Sequence, residues 1–266
     1  MRVIQFGCGN MGGAMLTGWL AGGFDPAGFT VVDPFAAQVP EGVTLLAQAP
    51  ADGDFDAVLL GFKPQQLADA GPFVAPLVGP GTVVLSILAG VDLATLRRHF
   101  PAARAIVRIM PNLAAAIGKS PMGLVSDSDD AAATALTERL VAPLGLAEWL
   151  SGEDRMDLVT ALAGSGPAFV YRLIDALAAG AAELGLPREQ ADRLALSMVE
   201  GAAALAAASE HGPGELARRV ASPGGTTQAG LDVLDAGGRL GSLMTDTLRA
   251  ARDRSAEMRA EAAARG

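Results

Sequence analysis

The chain has 266 residues, 50% of them hydrophobic, enough to bury a sizeable core in one large domain or two smaller ones. Its 20 Lys and Arg against 29 Asp and Glu leave a net charge of −9 with no basic cluster, which argues against a nucleic-acid or anionic-membrane partner. The single cysteine, Cys8, excludes an intrachain disulfide and a cysteine-based metal site, and no metal is expected. With no charged-then-apolar leader ahead of the first strand, we expect a cytoplasmic protein. The longest apolar region, residues 173–208, is interrupted by charges from Asp175 to Glu200, so it reads as a buried helix pair and not as a bilayer span.

Residues 2–6 form a short β-branched run, followed at once by Gly7-Cys8-Gly9-Asn10-Met11-Gly12-Gly13 and an amphipathic stretch through Leu20. Strand, G-x-G-x-x-G, helix is the order a dinucleotide-binding βαβ unit requires. Gly7 serves the tight turn, Gly9 lets a pyrophosphate approach the backbone, and Gly12 allows close helix-to-strand packing. A second strand, residues 29–32, ends in Asp33. An acid there accepts from a ribose 2′-OH; the alternative is a turn residue before Pro34. Between Arg2 and Lys63 there is no Lys or Arg to meet a 2′-phosphate, so NADH is favoured over NADPH.

Residues 57–60, 82–86 and 105–108 read as further strands with helical patterns between them. This predicts an α/β Rossmann domain, a doubly wound and mostly parallel sheet with ligand at the carboxyl ends of its strands. The strand-end peptides carry Phe62-Lys63-Pro64, Ala89-Gly90 and Met110-Pro111-Asn112. Small residues and prolines there let a flat nicotinamide lie against backbone. Asn112 either hydrogen-bonds a ligand or serves ordinary turn chemistry, and Lys63 either approaches cofactor phosphates or salt-bridges the surface. Residues 124–126 and 147–150 read as two more strands around a helix at 129–140, and 151–154 as a boundary. The chain thus divides into a dinucleotide-binding domain, 1–151, and an all-α domain, 152–266. The alanine-rich helices of the second are suited to close approach and to burying a face against another subunit. The tail, 249–265, reads as a solvated final helix.

The stretch Ser222-Pro223-Gly224-Gly225-Thr226-Thr227 interrupts that helical half directly before a new apolar-periodic run. Adjacent glycines let backbone N–H groups converge, the next helix adds the partial positive charge of its N-terminus, and three hydroxyls add donors: a small anion site. The alternative is a plain loop with an N-capping threonine.

In this order and at these intervals, Gly7-x-Gly9-Asn10-Met11-Gly12, Phe62-Lys63-Pro64-Gln65, Ser86-Ile87-x-Ala89-Gly90, Arg108-x-Met110-Pro111-Asn112, Gly164-Ser165-Gly166-Pro167-Ala168 and Ser222 to Thr227 resemble the Δ1-pyrroline-5-carboxylate reductase family. The resemblance spans nearly the whole chain, and the last two motifs are specific to that family. It implies NAD(P)H-dependent reduction of the cyclic imine to L-proline, the last step of proline biosynthesis, and a homodimer through interlocked helical domains or a larger assembly of such dimers. It implies that Ser222, Gly224, Gly225, Thr226 and Thr227 hold the substrate carboxylate, with Thr227, the catalytic candidate, nearest the ring nitrogen. The nucleotide would be held by Gly7, Gly9, Asn10, Met11, Gly12, Asp33, Phe62, Lys63, Pro64, Ala89, Gly90 and Asn112. Glu210 falls where the family keeps an acid near the site.

Two departures stand out. Asp33-Pro34 replaces a small polar residue or an Arg that greets the 2′-phosphate in many members, so their NADPH preference is not transferred. Cys8 replaces a small residue of the glycine loop, for which packing is expected. His99 and His211 read as surface residues, so the imine proton comes either with an iminium substrate or through Thr227 and a water. A β-hydroxyacid dehydrogenase-like enzyme would need a Lys in the helical domain, whereas Lys63 and Lys119 both lie in the first half. A non-catalytic nucleotide sensor would have no use for the Ser222 loop.

Overall fold

The computed structural model describes the chain from Met1 through Ala263, in two compact units: Met1–Ser165 with the segment from Arg249 onward, and Gly166–Leu248. The first holds an eight-stranded sheet of order β3-β2-β1-β4-β5-β6-β7-β8. Its strands are β1 (Val3–Phe6), β2 (Phe29–Val32), β3 (Thr44–Leu46), β4 (Ala57–Leu60), β5 (Val83–Ser86), β6 (Ala105–Met110), β7 (Met122–Ser126) and β8 (Ala147–Trp149). Every neighbouring pair is parallel except β6 with β7. The link from Met110 to Met122 holds only a 3-10 turn, Leu113–Ile117, too little for the crossover a parallel partner needs. β3 is an edge strand that the sequence reading did not anticipate, being three residues long with no side chain fully buried.

Successive residues of a strand face opposite sides of the sheet, and the central strands are apolar on both. Val3, Leu59, Leu85 and Val107 pack under α1 (Asn10–Ala21) and α4 (Ala131–Val141). Ile4, Val58, Leu60, Val84 and Ile106 pack under α2 (Leu67–Val74) and α3 (Leu93–His99). Trp19 locks the first layer: it is fully buried, stacks on Phe29 at 5.2 Å between centroids, and donates from Nε1 to the Leu140 carbonyl at 2.6 Å.

The first unit continues past residue 151. Helix α5 (Met156–Val159) and a π-helical turn, Thr160–Gly164, lie on the β6–β7 side, where Met156 packs with Met110 and Val125. The second unit contains α6 (Gly166–Glu183), α7 (Arg188–Ala207), α8 (Pro213–Val220), α9 (Thr226–Asp235) and the start of α10 (Arg239–Ala263). Ala178, Ala191 and Ala195 form the α6–α7 seam, while Leu173, Leu177, Leu194 and Leu205 are exposed in the single chain. Among the described residues no helix is long and apolar enough to cross a membrane.

The tail is helical through Ala263 and mostly exposed from Arg249 to Glu261, as expected at 249–265, but it is anchored at two points. Asp157 accepts from Ser255 Oγ at 2.8 Å and from Arg259 Nη2 at 3.0 Å, and the α10 backbone at Arg259 lies 3.4 Å from where a Cβ on Gly90 would sit. Asp157 lies 98 and 102 residues upstream of the two donors. Residues 264 and 265 of that expectation lie outside the described residues.

Candidate active site

Parallel register aligns the carboxyl ends of β1, β2, β4 and β5: Phe6 sits beside Val32 and Leu60, and Leu60 beside Ser86. The peptides that follow, beginning at Gly7, Asp33, Gly61 and Ile87, therefore line one edge of the sheet, where ligands of doubly wound folds bind.

The three glycines at that edge divide their work by distance. Gly7 has φ of 88°, its N–H donates to the Val32 carbonyl at 2.9 Å, and a Cβ on it would lie 2.8 Å from the Gly61 backbone. A Cβ on Gly12 would lie 2.6 Å from the Gly7 carbonyl oxygen and 2.7 Å from Gln5 Nε2. Gly9 would meet nothing within 4 Å. The cradle is closed under Gly7 and Gly12 and open over Gly9, at the start of a 12-residue helix with no side-chain cap. A pyrophosphate fits that opening, with the first-turn N–H groups at Asn10 and Met11 left without intrahelical partners. Beneath the loop, Gln5 is fully buried, donating from Nε2 to the Gly7 carbonyl at 2.9 Å; its Oε1 has no partner among the described residues.

Asp33 closes a turn and braces the glycine loop together. Its Oδ1 accepts from the Phe35 N–H at 2.9 Å and its Oδ2 from the Cys8 N–H at 2.7 Å. The turn alternative is realised in the Phe35 contact, and the carboxylate lies against the glycine loop. Burial, and then the Asp33 charge, push the Cys8 thiol up from its ordinary pKa, keeping it protonated, as a packing residue should be. Phe62 is half-buried against the α2–α3 layer and Pro64 opens the 3-10 turn Pro64–Gln66. Lys63 is exposed and makes no salt bridge among the described residues, so its ammonium is available to a phosphate.

Ala89 and Gly90, the latter at φ of 78°, border a cavity of about 410 Å³ that is also lined by Arg98, Arg254 and Met258. A larger concavity of about 560 Å³, beside Ser126, Glu138 and Trp149, contains none of the expected site residues. Asn112 is spent within the protein: 7% exposed, it accepts at Oδ1 from the Ala114 N–H at 2.9 Å and donates from Nδ2 to the Ala163 carbonyl at 2.8 Å.

Sequence reasoning missed an ion pair behind these strand ends. Arg108, its side chain 5% exposed, donates to Glu153 Oε1 at 2.6 Å, and the same oxygen takes the Leu93 N–H at 2.8 Å. An Arg inside an otherwise apolar strand was the available signal; its partner is 45 residues away.

In the second unit the Ser222 loop is compact and open to solvent. The Gly225 N–H donates to the Ser222 carbonyl at 2.9 Å, Gly224 takes φ of 70°, and Gly225 stands at the N-cap of α9. No threonine caps this helix, so the capping alternative is not realised. The hydroxyls of Ser222, Thr226 and Thr227 have no hydrogen-bond partner among the described residues, so hydroxyls and first-turn N–H groups are together free to receive an anion. Glu210 is exposed, and among the described residues no cluster of His, Cys, Asp or Glu is arranged to hold a metal.

Residues 153–258 match the family model for pyrroline-5-carboxylate reductase dimerisation. A pyrroline-5-carboxylate reductase of Pseudomonas aeruginosa is 37% identical over 264 residues, covering 97% of this chain and 96% of its own. The structure of a pyrroline-5-carboxylate reductase from Coxiella burnetii superposes with a TM-score of 0.86 at 30% identity, covering 97% of this chain and 98% of that one. A Plasmodium falciparum pyrroline carboxylate reductase, solved with NADP bound, shares the fold with a TM-score of 0.80 at 21% identity, over 97% and 98% of the two chains.

Proposed function

The chain belongs to the pyrroline-5-carboxylate reductase family, and from that premise we infer that it reduces L-Δ1-pyrroline-5-carboxylate to L-proline with a pyridine nucleotide, the final step of proline biosynthesis. The observation that carries the reading is the glycine cradle, closed under Gly7 and Gly12 and open at Gly9 in front of an uncapped helix. When bound, the reduced nicotinamide supplies the hydride. Gly7, Gly9, Asn10, Met11 and Gly12 hold the pyrophosphate, Lys63 meets a phosphate, and Phe62, Pro64, Ala89 and Gly90 give the strand-end backbone on which the flat ring rests.

NADH is the preferred nucleotide in this proposal. The Asp33 carboxylate accepts from a ribose 2′-OH and would stand against a 2′-phosphate, and no Lys or Arg between Arg2 and Lys63 offsets it. The loop from Ser222 to Thr227 clamps the substrate carboxylate: Gly224 and Gly225 shape the backbone, and the hydroxyls of Ser222, Thr226 and Thr227 add donors. Thr227 stands nearest the ring nitrogen, and either relays a proton through a water or leaves the substrate to arrive as the iminium. Positioning is then most of the catalysis. We assign nucleotide binding to residues 1–151 and substrate binding and dimerisation to 152–266, with the exposed leucines of α6 and α7 in a homodimer that can build larger rings. The cytoplasm is the expected compartment, and neither membrane nor nucleic acid the expected partner.

The test is direct. Purified protein mixed with pyrroline-5-carboxylate should consume NADH, followed by the absorbance of the reduced cofactor, with a higher kcat/KM than NADPH gives. Binding of nucleotide without oxidation would favour the sensor alternative, and a higher kcat/KM with NADPH would reverse the Asp33 reading. A Thr227→Val variant that keeps the full rate at saturating substrate would remove Thr227 from the proton path.

A further inference from the structure

A hydrogen bond from the strand-end motif Met110-Pro111-Asn112 reaches Ala163, the residue before Gly164-Ser165-Gly166-Pro167. In α-helical register the Ala163 carbonyl is met by the N–H of residue 167, but Pro167 has no N–H. The backbone answers in part with a π turn, Thr160–Gly164, closed by the Ser165 N–H on the Thr160 carbonyl at 2.9 Å. The Ala163 carbonyl accepts from Asn112 Nδ2 at 2.8 Å.

Asn112 is itself held on three sides. Its Oδ1 takes the Ala114 N–H at 2.9 Å, its own N–H donates to Ser120 Oγ at 2.9 Å, and Ser120 is fully buried. The bond therefore ties the π turn to the carboxyl end of β6, where Gly164 also approaches Met110: a Cβ on Gly164 would lie 3.7 Å from the Met110 sulfur. The Ser165 hydroxyl beside it has no partner among the described residues.

We propose that Asn112 is a positioning residue: its amide stands in for the N–H that Pro167 lacks and fixes the π turn at the carboxyl end of β6, beside the strand ends proposed to hold the nicotinamide. This rests on the reductase reading, and it replaces direct contact between Asn112 and the nucleotide with action through the turn.

Three variants test it: Asn112→Asp, which keeps the acceptor for Ala114 but has no hydrogen to donate; Asn112→Ala; and Asn112→Ala with Pro167→Ala, which returns an N–H at residue 167. Measured are kcat at saturating substrates, the Kd of reduced nucleotide by its fluorescence, and melting temperature. Both single variants should lose at least about tenfold in kcat, a misplacement near an ångström costing up to about a hundredfold, with Kd within about twofold of wild type. The double variant should regain most of the loss. A weakened Kd with intact kcat would make Asn112 a direct cofactor ligand and overturn the proposal. So would an unchanged kcat, or a double variant no better than Asn112→Ala. Should Asn112→Ala not fold, Asn112→Asp alone decides between the kcat and Kd outcomes. Wild type that oxidises neither NADH nor NADPH with pyrroline-5-carboxylate would instead fail the reductase reading, before any variant is compared.

Discussion

Placing the same methyl group at two glycines three residues apart should separate fold from function. At Gly12 the new carbon would lie 2.6 Å from the Gly7 carbonyl oxygen. That is about 0.7 Å inside the closest ordinary C···O separation. The oxygen has little room to yield, because the buried Gln5 Nε2 is bonded to it at 2.9 Å. Overpacking costs about 1–3 kcal/mol, and the better helix propensity of alanine returns at most about 1. With both neighbours pinned we expect Gly12→Ala to be about 2 kcal/mol less stable, a melting temperature about 4–8 °C lower. At Gly9 no atom lies within 4 Å and φ is −68°, which alanine adopts freely. The entropy taken from the unfolded chain and the weaker N-cap nearly cancel, so Gly9→Ala should stay within about 0.5 kcal/mol of wild type. Its methyl fills the space for the pyrophosphate, and the Kd for NADH should rise at least about tenfold, or about 1.4 kcal/mol. Thermal melts without nucleotide and fluorescence titration with NADH read the two effects separately. If Gly9→Ala melts as low as Gly12→Ala, or binds NADH like wild type, the assignment of the two glycines is wrong.

Three further outcomes follow from the same geometry. Glu153→Ala strands the buried Arg108 guanidinium and the Leu93 N–H, and should cost about 2–4 kcal/mol in urea denaturation, below the fully buried figure because Glu153 is 29% exposed; a cost under about 1 kcal/mol would show that water reaches Arg108. Asp33→Ser should shift the ratio of kcat/KM values for NADH and NADPH toward NADPH by at least about tenfold, through loss of a carboxylate that repels the 2′-phosphate, and an unchanged ratio would remove Asp33 from cofactor choice. Asp92, the N-cap of α3, is pushed up by burial, but this is outweighed by the Thr95 hydroxyl and N–H and by the Arg108 and Arg98 charges, which hold its carboxyl below the usual range. A depressed folded-state pKa adds stability above the unfolded pKa and loses it as pH falls through the folded one. The stability gap between wild type and Asp92→Ala should therefore narrow as pH drops from about 5 toward about 2, and a gap that widens would reverse the sign.

Local chemistry was legible along the chain because it depends on neighbours. The β-branched runs became central strands, and Gly7, Gly9 and Gly12 took the turn, opening and close contact expected of them, since spacing around one strand-to-helix turn leaves little freedom. The Ser222 loop was legible as a glycine turn ahead of a helix, but whether a threonine caps that helix was not; the fold leaves α9 without a side-chain cap. Long-range partnerships were not legible. The β3 edge strand is too short to signal itself, and the antiparallel β7 follows from a link whose path the sequence does not state. The tail is largely exposed, as read, but its anchor was not legible because Asp157, which gathers Ser255 and Arg259, is far away in the chain. Asn112 was read either as a ligand donor or as a turn residue; the Ala114 contact realises the turn, and only the fold brings its amide to the carbonyl for which Pro167 has no hydrogen. The sequence by itself determined which backbone torsions and which faces were possible. Tertiary structure decided which polar groups had to satisfy one another, because a buried donor or acceptor must be paired with whatever the fold brings near, however distant in the chain.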